Sequence, residues 1–162
     1  MKMATLLLLI TAVLTALIAG LFYAYSCSVV LGLGKLSDIE YLKAMQSINR
    51  EILNPVFFLS FMGTAVLLPV STFVFRGQPA FIFLLTASLA YLIGVFGITV
   101  GGNVPMNDVL DRFDISGAAT EAVRKMRDSF ERRWNLLNNI RTFFSVITIA
   151  LVVCACIWNK ET

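Results

Sequence analysis

The sequence of 162 residues lacks histidine altogether and contains only three cysteines. Without histidine the chain has neither the commonest metal ligand nor the commonest general base, which excludes any mechanism that needs an imidazole. Cys27, Cys154 and Cys156 all lie in apolar stretches and show no metal-ligand spacing. We therefore predict no metal site, and we expect three unpaired cysteines that are buried as small apolar side chains.

Charged residues are also scarce, at 14% of the chain against about 25% in soluble proteins. Hydrophobic residues make up 58%, and the mean hydropathy is +0.82. A soluble domain of this size cannot hide so much apolar surface, so the composition predicts an integral protein of a plasma or inner membrane, with the lipid bilayer as its partner. The net charge of +3 is small, and no basic run alternates with aromatic residues, which argues against nucleic acid as a partner.

Long apolar runs predict an all-α fold, a membrane four-helix bundle formed by residues 1–162 as a single domain. The four spans are expected at about residues 3–33, 55–75, 80–100 and 141–158. The first run is too long for the apolar core of a signal peptide, which has about 7–15 residues, so we interpret it as a membrane helix. Gly101, Gly102 and Pro105 are expected to end the third span.

Two longer polar connections, 35–54 and 103–140, follow the first and third spans and therefore lie at the same end of the predicted bundle. We call this the connection end. Apolar residues repeat at helical spacing in both, which predicts an amphipathic helix in 35–54 and a helix from near Ser116 that continues into the fourth span. Ten of the 13 Lys and Arg residues lie at this end, so the positive-inside rule predicts cytoplasmic connections and external termini.

Small residues recur along two of the spans. In the first span they repeat every four positions, at Ala12, Ala16, Gly20, Ala24, Ser28 and Gly32; in the third they are Ala90, Gly94, Gly97 and Gly101. Small side chains let helix backbones approach closely in lipid. We therefore predict that these faces are packing seams, and they also offer surfaces for a homo-oligomer or a larger complex.

Polar residues that require an explanation fall in three stretches that should converge at the connection end. They are Gln46, Asn49 and Asn54, then Asn103, Asn107 and Asp108, then Trp134, Asn138, Asn139 and Arg141. An arginine beside asparagines at the end of a span is typical of an anchor for an anionic or phenolic group. The alternative is structural, because asparagines often cap helices and Arg141 can extend to the interface. The residues alone leave both readings open.

Three motifs in these stretches carry a family resemblance. They are Ala44-Met45-Gln46-Ser47-Ile48-Asn49 leading to Asn54-Pro55, then Asn103-Val104-Pro105-Met106-Asn107-Asp108, then Trp134 followed by Asn138, Arg141 and Thr142. In sequence, order and position relative to the spans they resemble the anthrone oxygenase-like family of small four-span membrane proteins. The resemblance extends over nearly the whole chain.

The resemblance implies oxidation of anthrones, or of related polycyclic phenolic or quinone-like molecules, by molecular oxygen without a metal or other cofactor. An anthrone that loses a proton becomes an electron-rich anion able to reduce oxygen, so the protein needs a base, donors for the oxyanion and a dry pocket. The resemblance assigns Asp108 as the base and Arg141 as the main anion-stabilising group. Gln46, Asn49, Asn103, Asn107 and Asn138 would contact the substrate, and Trp134 would stack on its rings.

Two other functions fit parts of the sequence. A non-catalytic structural or assembly subunit would use the small-residue faces to bind partner helices, and Arg141 would then matter only for folding. A transporter of a lipophilic molecule is disfavoured, because no charged residue lies in the middle of any predicted span and the two halves show no inverted repeat.

Overall fold

The computed structural model describes residues 2–158, and within them the chain forms five helices and no strand. The helices are α1 (Met3–Leu33), α2 (Asp38–Glu51), α3 (Pro55–Val74), α4 (Phe81–Asp111) and α5 (Thr120–Trp158). All except α2 are long and apolar enough to cross a membrane. The predicted all-α membrane bundle is thereby confirmed, including a fifth helix that begins near Ser116 and runs unbroken through the last span.

The four long helices form a ring in which α1 and α4 each pack against both α3 and α5. Buried hydroxyl groups link neighbouring helices: Thr11 bonds Ser71 at 2.9 Å between α1 and α3, and Thr72 bonds Ser88 at 2.9 Å between α3 and α4. The Tyr91 hydroxyl donates to the Phe61 carbonyl at 2.8 Å. Because lipid offers no competing water, such bonds help to fix which faces of the helices meet.

The amphipathic helix α2 lies against α4 and α5 at the connection end, and Arg127 of α5 holds it there. The Arg127 side chain is only 12% exposed and donates to Asp38 at 2.9 Å and to Glu131 at 2.7 Å. It also lies over the Tyr41 ring, 4.6 Å from the centroid. The charge of Arg127 is thus balanced by two carboxylates and an aromatic face, so this side chain has a structural role and fastens α2 to α5.

The third span does not end where the glycines and Pro105 predicted, and that prediction is wrong. Helix α4 continues through two π-helical turns, Leu92–Gly97 and Thr99–Asn103, and reaches Asp111. Pro105 falls in the first turn of the α-helical stretch after the second π turn, where a missing N–H is tolerated. Gly102 serves close packing instead, because a Cβ there would lie 2.8 Å from Leu137 Cδ1.

The small-residue ladder of α1 is not a packing seam within the chain, so the prediction that this face packs against another helix of the bundle is wrong. Ala16, Ala24 and Ser28 are exposed, and a Cβ at Gly20 or Gly32 would meet nothing within 4 Å. A repeat of four residues drifts by about 40° per step around a helix with 3.6 residues per turn, so the ladder leaves the buried face. The buried face of α1 consists instead of Leu8, Thr11, Thr15, Ile18, Ala19 and Phe22.

The predicted burial of the cysteine side chains is also corrected. All three cysteines are free, as expected, but Cys27 and Cys156 are exposed and Cys154 is only half-buried. On a membrane helix an apolar side chain can face lipid without loss, so burial inside the protein is not needed. The sidedness of the bundle and its assembly into oligomers stay predictions.

Candidate functional site

A cavity of about 230 Å³ lies at the connection end, and all five helices contribute to its lining. An apolar cavity of roughly 150 Å³ is large enough to hold benzene, so this one has room for a larger aromatic molecule. Most of its wall is apolar: Leu21, Phe22, Tyr25, Ile48, Ile52, Leu53, Phe57, Val104 and Trp134. The polar residues of the lining are Asn49, Thr99, Asn103, Asn107, Asn138 and Arg141.

Arg141 is the central polar residue of the cavity, and it is only 5% exposed. Its Nη2 donates to Asn138 Oδ1 at 2.9 Å, and its Nη1 makes a long contact of 3.4 Å with Thr99 Oγ1. The guanidinium lies over two rings, 4.5 Å from the centroid of Phe22 and 5.4 Å from that of Trp134. Within residues 2–158 no carboxylate pairs with it. A buried cation of this kind is costly unless an anion accompanies it.

Three buried polar atoms of the cavity residues have no hydrogen-bond partner in the described part of the protein: Asn49 Nδ2, Asn103 Oδ1 and Arg141 Nε. A buried polar group without a partner costs about 1–3 kcal/mol, and most proteins leave very few. All three atoms belong to residues that line one cavity, and they comprise two donors and one acceptor. A ligand that accepts two hydrogen bonds and donates one would satisfy all three.

A hydrogen-bonded network fixes the side chain that orients Arg141. Asn138 is fully buried, and its Nδ2 donates to Ser26 Oγ at 2.8 Å, so that its Oδ1 faces the guanidinium. Ser26 also bonds Thr142 at 2.7 Å. Ser26 lies in the π-helical turn Tyr25–Val29 of α1, and π turns are frequent at functional sites because they redirect side chains locally. The network therefore joins α1 to α5 at the cavity.

Trp134 provides a fixed aromatic wall. Its Nε1 donates to Asn107 Oδ1 at 2.8 Å, and its ring lies 5.2 Å from that of Tyr25, centroid to centroid. Asn103 Nδ2 makes a long contact of 3.5 Å with the Trp134 carbonyl. With its polar edge already bonded, the indole adds an apolar surface to the cavity wall.

The structure brings six of the eight predicted site residues to this cavity: Asn49, Asn103, Asn107, Trp134, Asn138 and Arg141. It does not bring Gln46 or Asp108 to the lining. Gln46 Nε2 donates to the carbonyls of Leu110 at 2.8 Å and Phe113 at 3.0 Å, and so caps the end of α4. Asp108 is exposed. Their predicted roles in binding and catalysis therefore have no geometric support and stay predictions.

Sequence reasoning missed Phe22, Tyr25, Ser26 and Thr99. Thr99 precedes Asn103 by four residues, and Asn103 precedes Asn107 by four, so a polar stripe was visible in the sequence. The expected helix end at the glycines obscured it. The residues of α1 carried a weaker signal, because Tyr25 and Ser26 are two of several polar side chains in a largely apolar run.

The model of the anthrone oxygenase family matches residues 55–151, which is more than half of the chain. The matched range contains the second and third motifs and every polar residue of the cavity except Asn49. No curated protein and no solved structure matches the chain significantly. The four-span helical fold agrees with the expectation from the motifs. The chain therefore belongs to the anthrone oxygenase family.

Proposed function

We propose that this protein is a membrane oxygenase that binds a polycyclic phenol of the anthrone type in the cavity and oxidises it with molecular oxygen. The observation that carries the proposal is the buried Arg141, which has no carboxylate partner in residues 2–158 and borders an aromatic cavity. A cation in that setting is matched by a ligand oxyanion. Membership of the anthrone oxygenase family supports the same chemistry.

The unpartnered atoms suggest how such a ligand is held. An enolate or phenolate oxygen accepts hydrogen bonds from Arg141 Nε and Asn49 Nδ2, and a phenolic hydroxyl donates to Asn103 Oδ1. The fused rings pack on Trp134 and Phe22, which already flank the guanidinium. Recognition thus combines an apolar body with a few fixed polar groups, as in most small-molecule sites.

The reaction needs oxygen as its only co-reactant. The methylene carbon of an anthrone loses a proton, and the resulting carbanion, delocalised onto the ketone oxygen, adds O₂ and a proton to give a hydroperoxide. That hydroperoxide loses the second hydrogen of the carbon together with hydroxide, so the O–O bond breaks and a new C=O forms. In total one anthrone and one O₂ yield one anthraquinone and one water. The protein accelerates the first step by stabilising the oxyanion.

No aspartate or glutamate of residues 2–158 lines the cavity, so the proposal assigns no side-chain base. Arg141 makes the bound substrate more acidic by favouring its anion, and the proton leaves to water at the connection end. Leu53 and Val104 belong to the lining and are exposed there. Asp108 has no contact with the substrate in this mechanism.

Replacing Asp108 by asparagine tests that assignment. We expect Asp108→Asn to keep the rate of anthraquinone formation within about threefold of wild type. An exposed carboxylate outside the cavity cannot accept a proton directly from the bound substrate. The measurement is oxygen consumption with 1,8-dihydroxyanthrone, corrected for its spontaneous oxidation. A loss of 100-fold or more in a folded variant would restore Asp108 as the base and contradict the mechanism.

Introducing a carboxylate next to Arg141 by mutation is the main test of the proposed function. Asn138→Asp places a carboxylate at the position of Asn138 Oδ1, which lies 2.9 Å from Arg141 Nη2. The new ion pair competes with the ligand anion for the same cation. We expect a loss of about ten- to hundredfold in kcat/KM, since a hydrogen bond to a charged group contributes about 1.5–3 kcal/mol.

The matched control is Asn139→Asp, which adds the same charge one residue away at an exposed position. We expect this variant to retain wild-type activity. Equal activity in both aspartate variants and the wild type would show that Arg141 does not bind the reacting anion. An anthrone oxidation rate in the wild type no faster than in buffer would contradict the proposed function as a whole.

A further inference from the structure

We infer that the ligand reaches the cavity sideways from the bilayer, through a groove between α1 and α3, and that Leu21, Ile52 and Phe57 form its gate. The inference rests on the proposed function, because it requires a lipophilic ligand that partitions into the membrane. It adds an access route, and it identifies a groove residue outside the cavity, Leu59, that controls the rate of binding without lining the binding site.

The groove adjoins the cavity and shares three lining residues with it. It has a volume of about 530 Å³ and is lined by residues of α1 and α3 together with the link between α2 and α3. Leu21, Ile52 and Phe57 belong both to its lining and to the lining of the cavity. These three apolar side chains therefore form the partition between the two spaces.

The groove lies at the depth of the acyl chains. Its α1 residues run from Leu14 to Leu21, roughly 17–27 Å along the helix from Met3, within a hydrocarbon core of about 30 Å. Leu17 of α1 and Leu59 of α3 line it and are 58% and 66% exposed. An exposed leucine-lined groove at this depth opens to lipid and not to water.

The packing of α1 and α3 explains where the groove ends. A Cβ at Gly63 would lie 2.7 Å from Leu14 Cδ1, so the two helices touch at that point and close the groove on one side. Towards the connection end, α3 begins only at Pro55, and its first turn is fixed by Asn54, whose Oδ1 accepts from the Phe57 N–H at 3.0 Å. The space beside that first turn is the groove.

The gate can open through side-chain motion alone. Leu21 is exposed and Ile52 is half-buried, so neither is locked by tight packing. Phe57 is held more firmly, because its ring stacks on Phe61 with 5.2 Å between centroids. Rotamer changes of exposed side chains occur in picoseconds to nanoseconds, so no movement of a whole helix is required.

Stopped-flow fluorescence in vesicles tests the route. The chain contains two tryptophans, and Trp158→Phe leaves Trp134 of the cavity wall as the only one. Vesicles of phosphatidylcholine are loaded with 1,8-dihydroxyanthraquinone, a stable product analogue, and quenching of Trp134 reports its arrival. In this background we expect Leu59→Phe, which narrows the groove without lining the cavity, to slow association and dissociation at least fivefold, with Kd within twofold.

Val66→Phe is the matched control, since Val66 lies two turns further along α3, is 59% exposed and does not line the groove. It should bind at the unmodified rate. Leu17→Phe narrows the groove from the α1 side and replaces Leu59→Phe if that variant does not fold. The association rate should follow the mole fraction of probe in the membrane and not its aqueous concentration.

The outcomes separate the route from the function. Normal Kd with unchanged rates in both groove variants, or a rate that follows the aqueous concentration, would overturn the lateral route and leave the binding site standing. No quenching of Trp134 at equilibrium would overturn the proposed function, and the route with it. Slower exchange in the groove variants alone would establish the route.

Discussion

Arg141→Gln is expected to lower kcat by about 100- to 1,000-fold, which is the usual effect of removing one preorganised donor to an oxyanion. The same variant should melt at an unchanged or higher temperature. Glutamine still offers an amide N–H to Asn138 Oδ1, the present partner of Arg141 Nη2 at 2.9 Å, but it carries no charge. Removing a buried cation without a counter-ion also removes its desolvation cost, so the fold loses little.

Arg127→Gln on the same helix is the matched control, and it should behave in the opposite way. The Arg127 guanidinium pairs with Asp38 and Glu131, which lose their cation in this variant. We expect a clear fall in melting temperature, because removing one partner of a part-buried ion-pair network is destabilising. The folded fraction should oxidise 1,8-dihydroxyanthrone at the wild-type rate, since Arg127 does not line the cavity.

The contrast between these two arginines decides between the enzyme and the structural subunit. A subunit without a ligand would use Arg141 for folding, so Arg141→Gln would lower the melting temperature and no oxidation would exist to be lost. The experiment combines thermal unfolding in detergent with a steady-state oxidation assay on the same samples. Destabilisation of Arg141→Gln to the extent seen for Arg127→Gln would contradict our view of Arg141.

Much of the fold followed from hydropathy, because lipid imposes simple constraints on length and polarity. The sequence also predicted that Asn103, Asn138 and Arg141 converge, since alternating spans bring their ends together whatever the details of packing. This part of the site depends on topology only. Which residues of each helix face the interior of the bundle depends on packing, and for this property some of the predictions were wrong.

Departures of real helices from a regular α period explain part of what the sequence did not predict. Three π-helical turns, Tyr25–Val29, Leu92–Gly97 and Thr99–Asn103, each shift the faces of α1 or α4. The expected helix end at Gly101 and Gly102 falls inside the π-helical turn Thr99–Asn103, where the chain continues as a helix. The ladder of α1 left the buried face because a spacing of four residues drifts around even a regular helix. Sequence periodicity does not record where an extra residue per turn is inserted. Two of these turns carry Tyr25, Ser26, Thr99 and Asn103, so the irregularities coincide with the site.

Gly94→Ala is expected to prevent normal folding of the bundle or to destabilise it by about 2 kcal/mol or more. Gly94 is buried in α4, and a Cβ there would overlap the Phe144 ring of α5, including its Cγ atom. Cγ is near the root of the side chain, so the ring cannot swing away as a flexible chain end would. Relief requires α4 and α5 to separate, and both helices contribute to the cavity.

Gly20→Ala supplies the control, because a Cβ at Gly20 meets nothing within 4 Å. Alanine is the better helix former, so this variant should be as stable as wild type or slightly more stable. Thermal unfolding in detergent measures both variants, and a double change Gly94→Ala with Phe144→Leu should recover part of the lost stability. If Gly94→Ala melts like Gly20→Ala, the close contact between α4 and α5 is wrong. The register of Thr99, Asn103 and Arg141 around the cavity would then be wrong as well, since the same two helices set it.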